Sequence, residues 1–444
     1  MTRKMKDSGI EWIGEIPEDW EVVKVKHEYD FSTGFTPETN RTEYYDDENG
    51  YEWVNISDLD GSKFLSKQTK NKISKTYINL YKPKSVPQGS LMYSFKLSVG
   101  QRTFNVRETY TNEAIASFMN NKNIDLNYFY YSSRLIAYNS YKNIYGARIL
   151  NQELIKNAPV PFPSLEEQYK ISSFLDKKVE QIEDIEKTII KEIENLENYK
   201  KSLITEAVTK GLDKNVEMKD SGIEWIGDIP RHWEVKRLKQ LLSNDPDSLK
   251  VGPFGSALKS SDLVNNGKWV YNQRTVLDGN FINNDTFIDD KKFVELRGFK
   301  VKAGDILLTT RGTIGKIAIV PSGFYEGVIH PCIIKFNLNK ELFENELIRF
   351  IFNHTDLVLK QVEFLSNSTT IGVIYSYNLV NIYIPIPPIS EQNQIIDYLN
   401  KKTKSIDETI SLKQKQLETL EEYKKSLIYE YVTGKKEVND GEET

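Results

Sequence analysis

The chain has 444 residues, of which 39% are hydrophobic and 28% charged, and its formal net charge is −5 at pH 7. This length is enough for two hydrophobic cores of ordinary size, while a single cysteine, Cys332, excludes an internal disulfide framework and fits a reducing cytoplasm. No apolar run approaches the length of a membrane-spanning helix, and the four scattered histidines predict no metal site.

A segment near the N-terminus is repeated in the middle of the chain. Met5–Lys26, MKDSGIEWIGEIPEDWEVVKVK, returns as Met218–Lys239 with 16 of 22 residues identical. The residues that follow the two copies, 27–160 and 240–384, differ from one another. The sequence therefore predicts two modules of the same design, each with a constant and a variable part.

The first variable region combines predicted strands with an uneven distribution of charge. Alternation of apolar and polar residues predicts strands at 51–59, 90–95, 100–106 and 114–119. Between Ser62 and Arg107 there are ten basic residues and no acidic one, which is typical of a surface that faces phosphates. The alternative is a solvated face whose lysines pair with nearby acidic residues, and the charge pattern alone leaves both interpretations open.

The end of this region is rich in tyrosine. Residues Asn127–Ile144 predict a helix with an aromatic face. Its tyrosines could stack on nucleic-acid bases, but at helical spacing such residues more often form a core, and that is our prediction. A polar loop at 145–152 and a proline-rich stretch then end the module.

A long uninterrupted helix is predicted from Ser164 to Gly211. The stretch contains no proline and no glycine before Gly211, and its apolar residues recur with an average step of 3.5 residues, the period of a coiled coil. Ser164 and Glu167 have the spacing of a capping box. At roughly 1.5 Å per residue the helix would span about 70 Å, so it needs a partner to bury its apolar seam.

The second variable region repeats the order of parts with different residues. AGDILLTTRGTIGKIAIV at 303–320 stands where residues 88–104 stood, and SNSTTIG at 366–372 stands where YGARILN stood. Equivalent folds with unlike polar tips predict two modules that bind different targets. Glycines beside Arg311 and Lys316 would let the backbone approach a phosphate or a groove, although a plain hairpin turn is the alternative.

The partner of the long helix is predicted at the end of the chain. Residues 389–434 match the first helix without a gap at an offset of 224, and YKKSLI is identical at 199–204 and 423–428. Heptad spacing selects the residues expected to pack between the helices. They are Ile182, Ile185, Ile189, Leu196, Tyr199 and Leu203 in the first helix and Ile406, Ile410, Leu417, Leu420, Tyr423 and Leu427 in the second.

Motifs of catalysis are missing from the sequence. No cofactor-binding glycine loop, adenine-methyltransferase motif or nucleophile elbow occurs. Two modules without catalytic motifs predict a targeting subunit that is not itself an enzyme. The alternative is a non-catalytic coiled-coil adaptor without DNA binding, which would share the helices but would not need the basic segment.

Several motifs together resemble the specificity subunit of type I restriction-modification systems. They are the two constant segments, the helix starts PFPSLEEQ at Pro161 and PIPPISEQ at Pro385, and the two YKKSLI sequences. The resemblance covers essentially the whole chain. It implies an α+β fold of two globular mixed α/β target recognition domains, separated by two long antiparallel coiled-coil helices and related by an internal pseudo-twofold repeat. The implied boundaries are 1–160 for the first domain, 161–213 for the central spacer helix, 214–384 for the second domain, and 385–444 for the C-terminal spacer helix and a short tail.

The resemblance also implies partners and their chemistry. Each domain is expected to read one half of a split, asymmetric site in double-stranded DNA. The helices are expected to set the gap between the halves and to bind two modification subunits, which carry S-adenosylmethionine and methylate adenine. Restriction subunits that use ATP and magnesium would complete the complex, and no cofactor is expected in this chain.

Residue type and position select candidate DNA contacts. Arginine, lysine and asparagine can bond to base edges in the major groove, and further lysines can contact phosphates. The candidates in the first module are Lys63, Lys67, Lys70, Lys72, Lys96, Arg102, Arg148 and Asn151. Those in the second module are Lys259, Arg274, Thr310, Arg311, Thr313, Lys316, Ser368 and Thr370.

Overall fold

The chain folds into two compact units, and each long helix contributes to both. The computed structural model describes residues 3–96, 98–142, 148–254, 257–366 and 372–438, with Lys142 described by its backbone alone. Unit 1 comprises the described residues of Met1–Ile189 and Lys415–Thr444, and unit 2 those of Ile190–Gln414. Within these residues no helix has the length and apolar composition to cross a membrane.

Unit 1 is built on a five-stranded sheet and a three-stranded sheet. The larger sheet has the order Phe31–Thr33, Ile115–Phe118, Leu91–Ser94, Arg102–Asn105 and Phe64–Leu65, and the smaller has the order Tyr110–Thr111, Tyr51–Val54 and Lys72–Ile73. Three strand pairs complete the unit: Met5–Asp7 with Glu15–Pro17, Glu21–Lys24 with Pro159–Phe162, and Tyr141–Lys142 with Arg148–Ile149. Its short helices are Val25–Glu28, Lys75–Tyr81, Leu126–Ser132 and Gln152–Lys156, with 3-10 turns at Thr42–Tyr44, Ile56–Asp58 and Ser133–Asn139.

Unit 2 has two four-stranded sheets. One has the order Leu249–Val251, Ile333–Phe336, Ile306–Thr309 and Ile317–Ile319, and the other Leu263–Val264, Phe287–Ile288, Lys268–Tyr271 and Gly327–Ile329. Two pairs repeat those of unit 1: Met218–Asp220 with Asp228–Pro230, and Glu234–Arg237 with Tyr383–Ile386. Its short helices are Gln273–Asp278, Asp290–Glu295, Asn345–His354, Leu357–Ser366 and Ser376–Val380, with 3-10 turns at Leu238–Gln240, Ser260–Asp262 and Arg297–Phe299.

The two long helices are Leu165–Lys210 and Ile389–Val432, which confirms both predictions to within two residues at each end. In unit 2 they run antiparallel. Glu192 pairs with Lys413 at 2.6 Å and Lys200 pairs with Asp407 at 2.6 Å. Residue numbers in the second helix therefore decrease as those in the first helix increase.

The same direction holds in unit 1. The ring centroids of Phe174 and Tyr431 lie 4.5 Å apart, and Glu186 pairs with Lys424 at 2.9 Å. Both side chains of this ion pair are less than one-fifth exposed. A charged pair at this position ties the two helices together where the sequence pattern predicted only apolar contacts.

Three residues predicted to pack between the helices face solvent instead. Ile185, Tyr199 and Tyr423 are 49%, 56% and 53% exposed. The seam passes through the neighbouring Glu186 and Lys200, because a heptad alternates steps of three and four residues and the apolar pattern does not fix which step comes first. The other predicted residues are buried or half-buried: Ile182, Ile189, Leu196, Leu203, Ile406, Ile410, Leu417, Leu420 and Leu427.

The start of each long helix is fixed by a repeated contact between tryptophan and glutamate. The indole Nε1 of Trp20 donates to Oε2 of Glu167 at 2.8 Å, and that of Trp233 donates to Oε2 of Glu391 at 2.9 Å. Both indoles are at most 1% exposed. The backbone N–H of Glu167 donates to Oγ of Ser164 at 3.3 Å, so half of the predicted capping box forms while the glutamate side chain holds the tryptophan.

The end of each long helix completes a core that the other helix begins. Leu427, Ile428 and Tyr431 belong to the main hydrophobic cluster of unit 1, and Ile204 and Val208 belong to that of unit 2. All five side chains are at most 6% exposed. The last turns of the second helix are therefore part of unit 1, although residues 190–414 separate them in sequence from the first part of that unit.

Of the tyrosines predicted to form a core, Tyr128, Tyr130 and Tyr131 do so, whereas Tyr138 and Tyr141 are exposed and the prediction is wrong for them. Tyr128 and Tyr131 are 0% and 1% exposed. The predicted helix is shorter than expected, since its α-helical part ends at Ser132 and a 3-10 turn continues to Asn139. The hydroxyl of Ser133 donates back to the carbonyl of Tyr130 at 3.1 Å, a local bond that competes with regular helix formation.

The strand predicted at 51–59 is also shorter than expected. It ends at Val54, and Ile56–Asp58 forms a 3-10 turn. The carboxylate of Asp58 accepts a hydrogen bond from the backbone N–H of Asn55 at 2.8 Å, which stabilises the turn and stops the strand.

A half-buried imidazole in unit 2 predicts a loss of stability at acidic pH. Burial, followed by the nearby ammonium groups of Lys200 and Lys316, lowers the pKa of His354 to about 4. In the unfolded chain the imidazole binds its proton near pH 6.5, roughly the value of a free histidine. Neutral His354 therefore contributes stability that is fully present above about pH 6.5 and is lost as the pH falls towards 4.

Urea unfolding at pH 7.5 and pH 5.0 measures this effect. We expect the wild type to lose about 1–2 kcal/mol more than His354→Phe between the two values, after allowing for partial solvent screening. His27→Phe removes an exposed histidine and provides the matched control. Identical pH dependence in the wild type and His354→Phe would contradict this assignment.

Candidate nucleic-acid interface

The acid-free segment of unit 1 is partly balanced by acidic residues from elsewhere in the unit. Four of its ten basic side chains form ion pairs: Lys63 with Asp176, Lys67 with Asp60, Lys96 with Glu113, and Arg107 with Glu52. The ammonium of Lys72 donates to the backbone carbonyl of Glu48 at 3.3 Å, and Lys70 is exposed. The pairing alternative therefore explains these four positions, and they are weaker candidates for DNA contacts than their sequence suggested.

Lys63 shows why the segment is not a simple phosphate-binding face. Its ammonium lies 2.5 Å from Oδ1 of Asp176 on the first long helix and within 6 Å of the ring centres of Phe104, Tyr130 and Tyr131. An ammonium that pairs with a carboxylate and is surrounded by aromatic rings already has its partners within the unit. Lys63 joins the module to the long helix.

Arg102 is half-buried and supports a turn. Its Nη1 donates to the carbonyl of Gly100 at 2.9 Å, and its guanidinium lies 4.9 Å from the ring centre of Tyr130. Burial, reinforced by nearby Arg134, lowers the pKa of Arg102 to about 10. The side chain remains charged at neutral pH, but it holds the strand connection and is poorly placed to reach a groove.

Of the two candidates in the closing loop of unit 1, Arg148 is exposed and Asn151 is hydrogen-bonded within the unit. Oδ1 of Asn151 accepts a hydrogen bond from the backbone N–H of Leu154 at 2.8 Å, so this residue caps the helix Gln152–Lys156. Arg148 is exposed, and its guanidinium lies 5.7 Å from the ring centre of Tyr138. In the part of the chain that the structure describes, Arg148 has no ion pair.

Two of the candidate residues on the hairpin of unit 2 form hydrogen bonds within the unit, and two others are exposed at its tip. Strands Ile306–Thr309 and Ile317–Ile319 are antiparallel neighbours. The hydroxyl of Thr310 donates to the backbone carbonyl of Cys332 at 2.9 Å. The ammonium of Lys316 donates to the backbone carbonyl of Asn353 at 2.6 Å, and burial lowers the pKa of Lys316. These two side chains are therefore held within the unit.

Two other residues occupy the exposed tip of this hairpin. Arg311 and Thr313 are exposed, and Gly312 and Gly315 adopt positive φ angles of +64° and +76°, which only glycine adopts without strain. Among the described residues Arg311 forms no ion pair. The tip thus offers a guanidinium and a hydroxyl on a rigid turn.

The tip is paired with the segment that follows the second closing loop. Arg311 and Val373 form an isolated antiparallel bridge, and the backbone N–H of Ile374 donates to the carbonyl of Thr310 at 2.9 Å. The structure therefore brings together two stretches that the sequence analysis treated as separate tips. Ser368 and Thr370, the candidates within the closing loop, lie outside the described residues.

The remaining candidates of unit 2 differ in their charge balance. Arg274 is exposed, but its guanidinium lies 3.4 Å from Asp278 and 3.3 Å from Asp285. Lys259 has an exposed side chain, and its backbone N–H donates to Asp262 at 2.7 Å at the start of a 3-10 turn. Arg274 is neutralised by two carboxylates, whereas Arg311 is not.

Comparison with known proteins gives consistent matches over the whole chain. The family model described as the Type I restriction modification DNA specificity domain matches residues 17–195 and 230–422. The type I restriction enzyme MjaVIII and MjaIX specificity subunits of Methanocaldococcus jannaschii are 28% and 25% identical over 436 and 450 residues. These matches cover 95% and 96% of this chain and 93% and 96% of the relatives.

Solved structures agree on the fold. A chain described in terms of complex assembly and conformational transition of the type I R-M system superposes with a TM-score of 0.69 at 13% identity, covering 94% of this chain and 98% of that chain. The HsdS subunit from Thermoanaerobacter tengcongensis superposes with a TM-score of 0.50 at 14% identity and the same coverage. At these identities the likeness is one of fold.

Proposed function

The chain belongs to the Type I restriction modification DNA specificity family, and we propose that it selects the DNA site on which a type I restriction-modification complex acts. The family match falls once on each repeat, so each unit carries one specificity domain. One domain in each unit supports a target with two recognised elements.

The observation that carries this proposal is that one repeated scaffold presents unlike exposed side chains. The buried tryptophans and the strand pairs at the helix starts are the same in both units. In contrast, unit 1 exposes Arg148 in its closing loop, and unit 2 exposes Arg311 and Thr313 on its hairpin tip. A common scaffold with unlike tips suits two different half-sites, and hence an asymmetric bipartite site in double-stranded DNA.

We propose that this chain contributes recognition and leaves the chemistry to its partners. Two modification subunits would bring S-adenosylmethionine and methylate adenine, and restriction subunits would use ATP and magnesium to cleave DNA. This division of labour is consistent with the sequence of the chain, which lacks the motifs of a methyltransferase or a nucleophilic enzyme. The exposed Tyr199 and Tyr423 lie at equivalent positions of the two long helices and are candidates for contacts with the modification subunits.

Mapping adenine methylation tests the proposal. The modification subunit is expressed in a host without its own adenine methylases, with and without this chain. A single bipartite, asymmetric motif that is methylated only when the chain is present is the expected result. If a soluble complex forms and the methylation is unchanged by the chain, the alternative of a coiled-coil adaptor without DNA binding is favoured.

Replacing Arg311 should relax the half-site that unit 2 reads. Arg311→Ala removes an exposed guanidinium that can bond to two acceptors on a guanine, and each such contact is worth about 1–3 kcal/mol of discrimination. We expect one position of the methylated motif to become degenerate and the other half to stay unchanged. Methylation sequencing of the variant provides the measurement.

Arg274 provides the matched control for this experiment. It is an exposed arginine in the same unit, but two aspartates neutralise it, so Arg274→Ala should leave the motif unchanged. A motif that stays intact in Arg311→Ala, or one that degenerates equally in both variants, would show that the free guanidinium at the tip does not read a base.

A further inference from the structure

An exposed aromatic side chain follows the segment that pairs with the hairpin tip of unit 2. The side chain of Tyr375 is 65% exposed. Among the described residues it makes no hydrogen bond through its hydroxyl and no ring contact. Exposure of an aromatic ring to water costs free energy that a ligand covering the ring would recover. Tyr375 is therefore a candidate contact that charge and motif analysis of the sequence did not select.

Backbone pairing places Tyr375 on the same side as Arg311. Arg311 faces Val373 across an antiparallel bridge, and the next pair is joined by the bond from Ile374 N–H to the carbonyl of Thr310. Tyr375 is extended, with φ −91° and ψ 147°. Side chains alternate along an extended segment, so the buried Ile374 points into the core while Val373 and Tyr375 point to the side of Arg311.

The charge at this position favours DNA over a protein partner as the ligand. Several other basic side chains of unit 2 are paired with acids, as Lys268 and Lys300 are with Glu326. Arg311 has no such pair within the described part of the chain. A free guanidinium next to an apolar ring matches the acceptors of guanine and the methyl group of thymine, which the major groove presents on neighbouring base pairs.

We propose that Tyr375 and Arg311 read two adjacent base pairs of the half-site recognised by unit 2, an inference that rests on the function proposed above. The ring of Tyr375 packs against the methyl group of a thymine. The guanidinium of Arg311 donates to O6 and N7 of the neighbouring guanine. Because a phosphate offers nothing to an apolar ring, Tyr375 acts as a specificity residue and adds little to non-specific affinity.

The test measures binding of the complete complex, this chain with its modification subunits, to a duplex carrying the methylated motif. Each thymine of the half-site is replaced in turn by deoxyuridine, which lacks only the methyl group. For the wild type, one replacement should weaken binding about fourfold, from roughly 0.8 kcal/mol per buried methyl group. Tyr375→Ala should bind the unmodified duplex more weakly by at least that factor and should not respond to that replacement.

Two control variants distinguish the effect of the Tyr375 ring from that of its hydroxyl and from the effect of removing any exposed tyrosine. Tyr375→Phe keeps the ring and should retain both the affinity and the response to deoxyuridine. Tyr325 is 53% exposed in the same unit and stacks on Trp269 with ring centroids 4.7 Å apart. Tyr325→Ala should also retain both properties, because Tyr325 does not lie beside a free arginine.

The possible outcomes distinguish this inference from the proposed function. If Tyr375→Ala binds like the wild type and keeps its response to every deoxyuridine, the inference is overturned while the proposed function stands. If Tyr375→Ala loses a modification subunit and the remaining chain keeps its DNA affinity, a protein partner covers the ring, and the inference is again overturned. A wild-type complex that methylates no bipartite motif overturns both.

Discussion

Replacing Trp233 with alanine is expected to lower the free energy of unfolding of unit 2 by about 3–5 kcal/mol, the usual cost of removing a large buried aromatic side chain. The indole is completely buried, and its Nε1 donates to Glu391. The substitution would leave a cavity between the constant segment and the start of the second long helix. It would also leave the carboxylate of Glu391 without this donor, so packing and hydrogen bonding are lost together.

Denaturant unfolding of the full chain, followed by hydrogen exchange of residues 218–237 and 389–399, measures the loss. Trp225 lies in the same constant segment but is only half-buried, so Trp225→Ala serves as the matched control and should cost much less. Trp20→Ala should reproduce the effect in unit 1, because Trp20 makes the equivalent contact with Glu167. Equal losses for Trp233→Ala and Trp225→Ala would show that the repeated contact does not hold the helix start.

Replacing Lys335 with alanine should destabilise unit 2 by a similar amount, about 3–5 kcal/mol. Lys335 and Asp305 form an ion pair at 3.1 Å, and their side chains are 3% and 2% exposed. The ammonium also donates to the carbonyl of Lys300 at 2.8 Å. Without Lys335 the carboxylate would remain buried and charged, with the backbone N–H of Lys302 as its remaining donor. The strand that carries Lys335 pairs with Ile306–Thr309, so the hairpin tip should also become less protected from exchange.

The double variant Lys335→Met with Asp305→Asn is the decisive comparison for this pair. Removing both charges while keeping an acceptor for Lys302 should recover most of the lost stability, because an unpaired buried charge is the costly state. The half-exposed pair of Lys268 and Glu326 is the matched control, and Lys268→Ala should cost less than about 1 kcal/mol. A double variant no more stable than Lys335→Ala would contradict this explanation.

The repeat made much of the architecture predictable from the sequence. A constant offset of 224 aligns the two long helices, and breaks at Pro163 and Gly211 marked the ends of the first. Such signals depend on neighbouring residues in the sequence, so they can be recognised without knowledge of the tertiary contacts. Tertiary pairing is different: nothing in the sequence indicated that Leu427 and Tyr431 complete the core of unit 1.

The periodicity of apolar residues did not predict correctly which residues of each long helix face the other helix. Ile185 and Tyr199 are apolar and correctly spaced, yet both are about half exposed. Glu186 and Lys200 take the inner positions because Lys424 and Asp407 lie opposite them. An ion pair between the helices depends on how the two helices are aligned along their axes, and the period of apolar residues does not define that alignment.

Candidate DNA contacts were the least predictable part, because residue type does not show whether a polar group is already satisfied. The hydroxyl of Thr310 and the side chain of Asn151 bond within their own units. Arg274 carried a visible warning in the sequence, since Asp278 follows it by four residues, the spacing of neighbours on a helix. Exposure together with the pairing of Val373 and Arg311 selected Tyr375, which no charge pattern could have indicated.

Exchange of one variable region most directly tests whether the two units read separate half-sites. Residues 240–384 of this chain would be replaced by the corresponding region of a specificity subunit with a different target, and adenine methylation would be mapped with the same modification subunit. The expected motif keeps one half and its gap and changes only the other half. A motif in which both halves change, or neither does, would contradict independent reading of DNA by the two units.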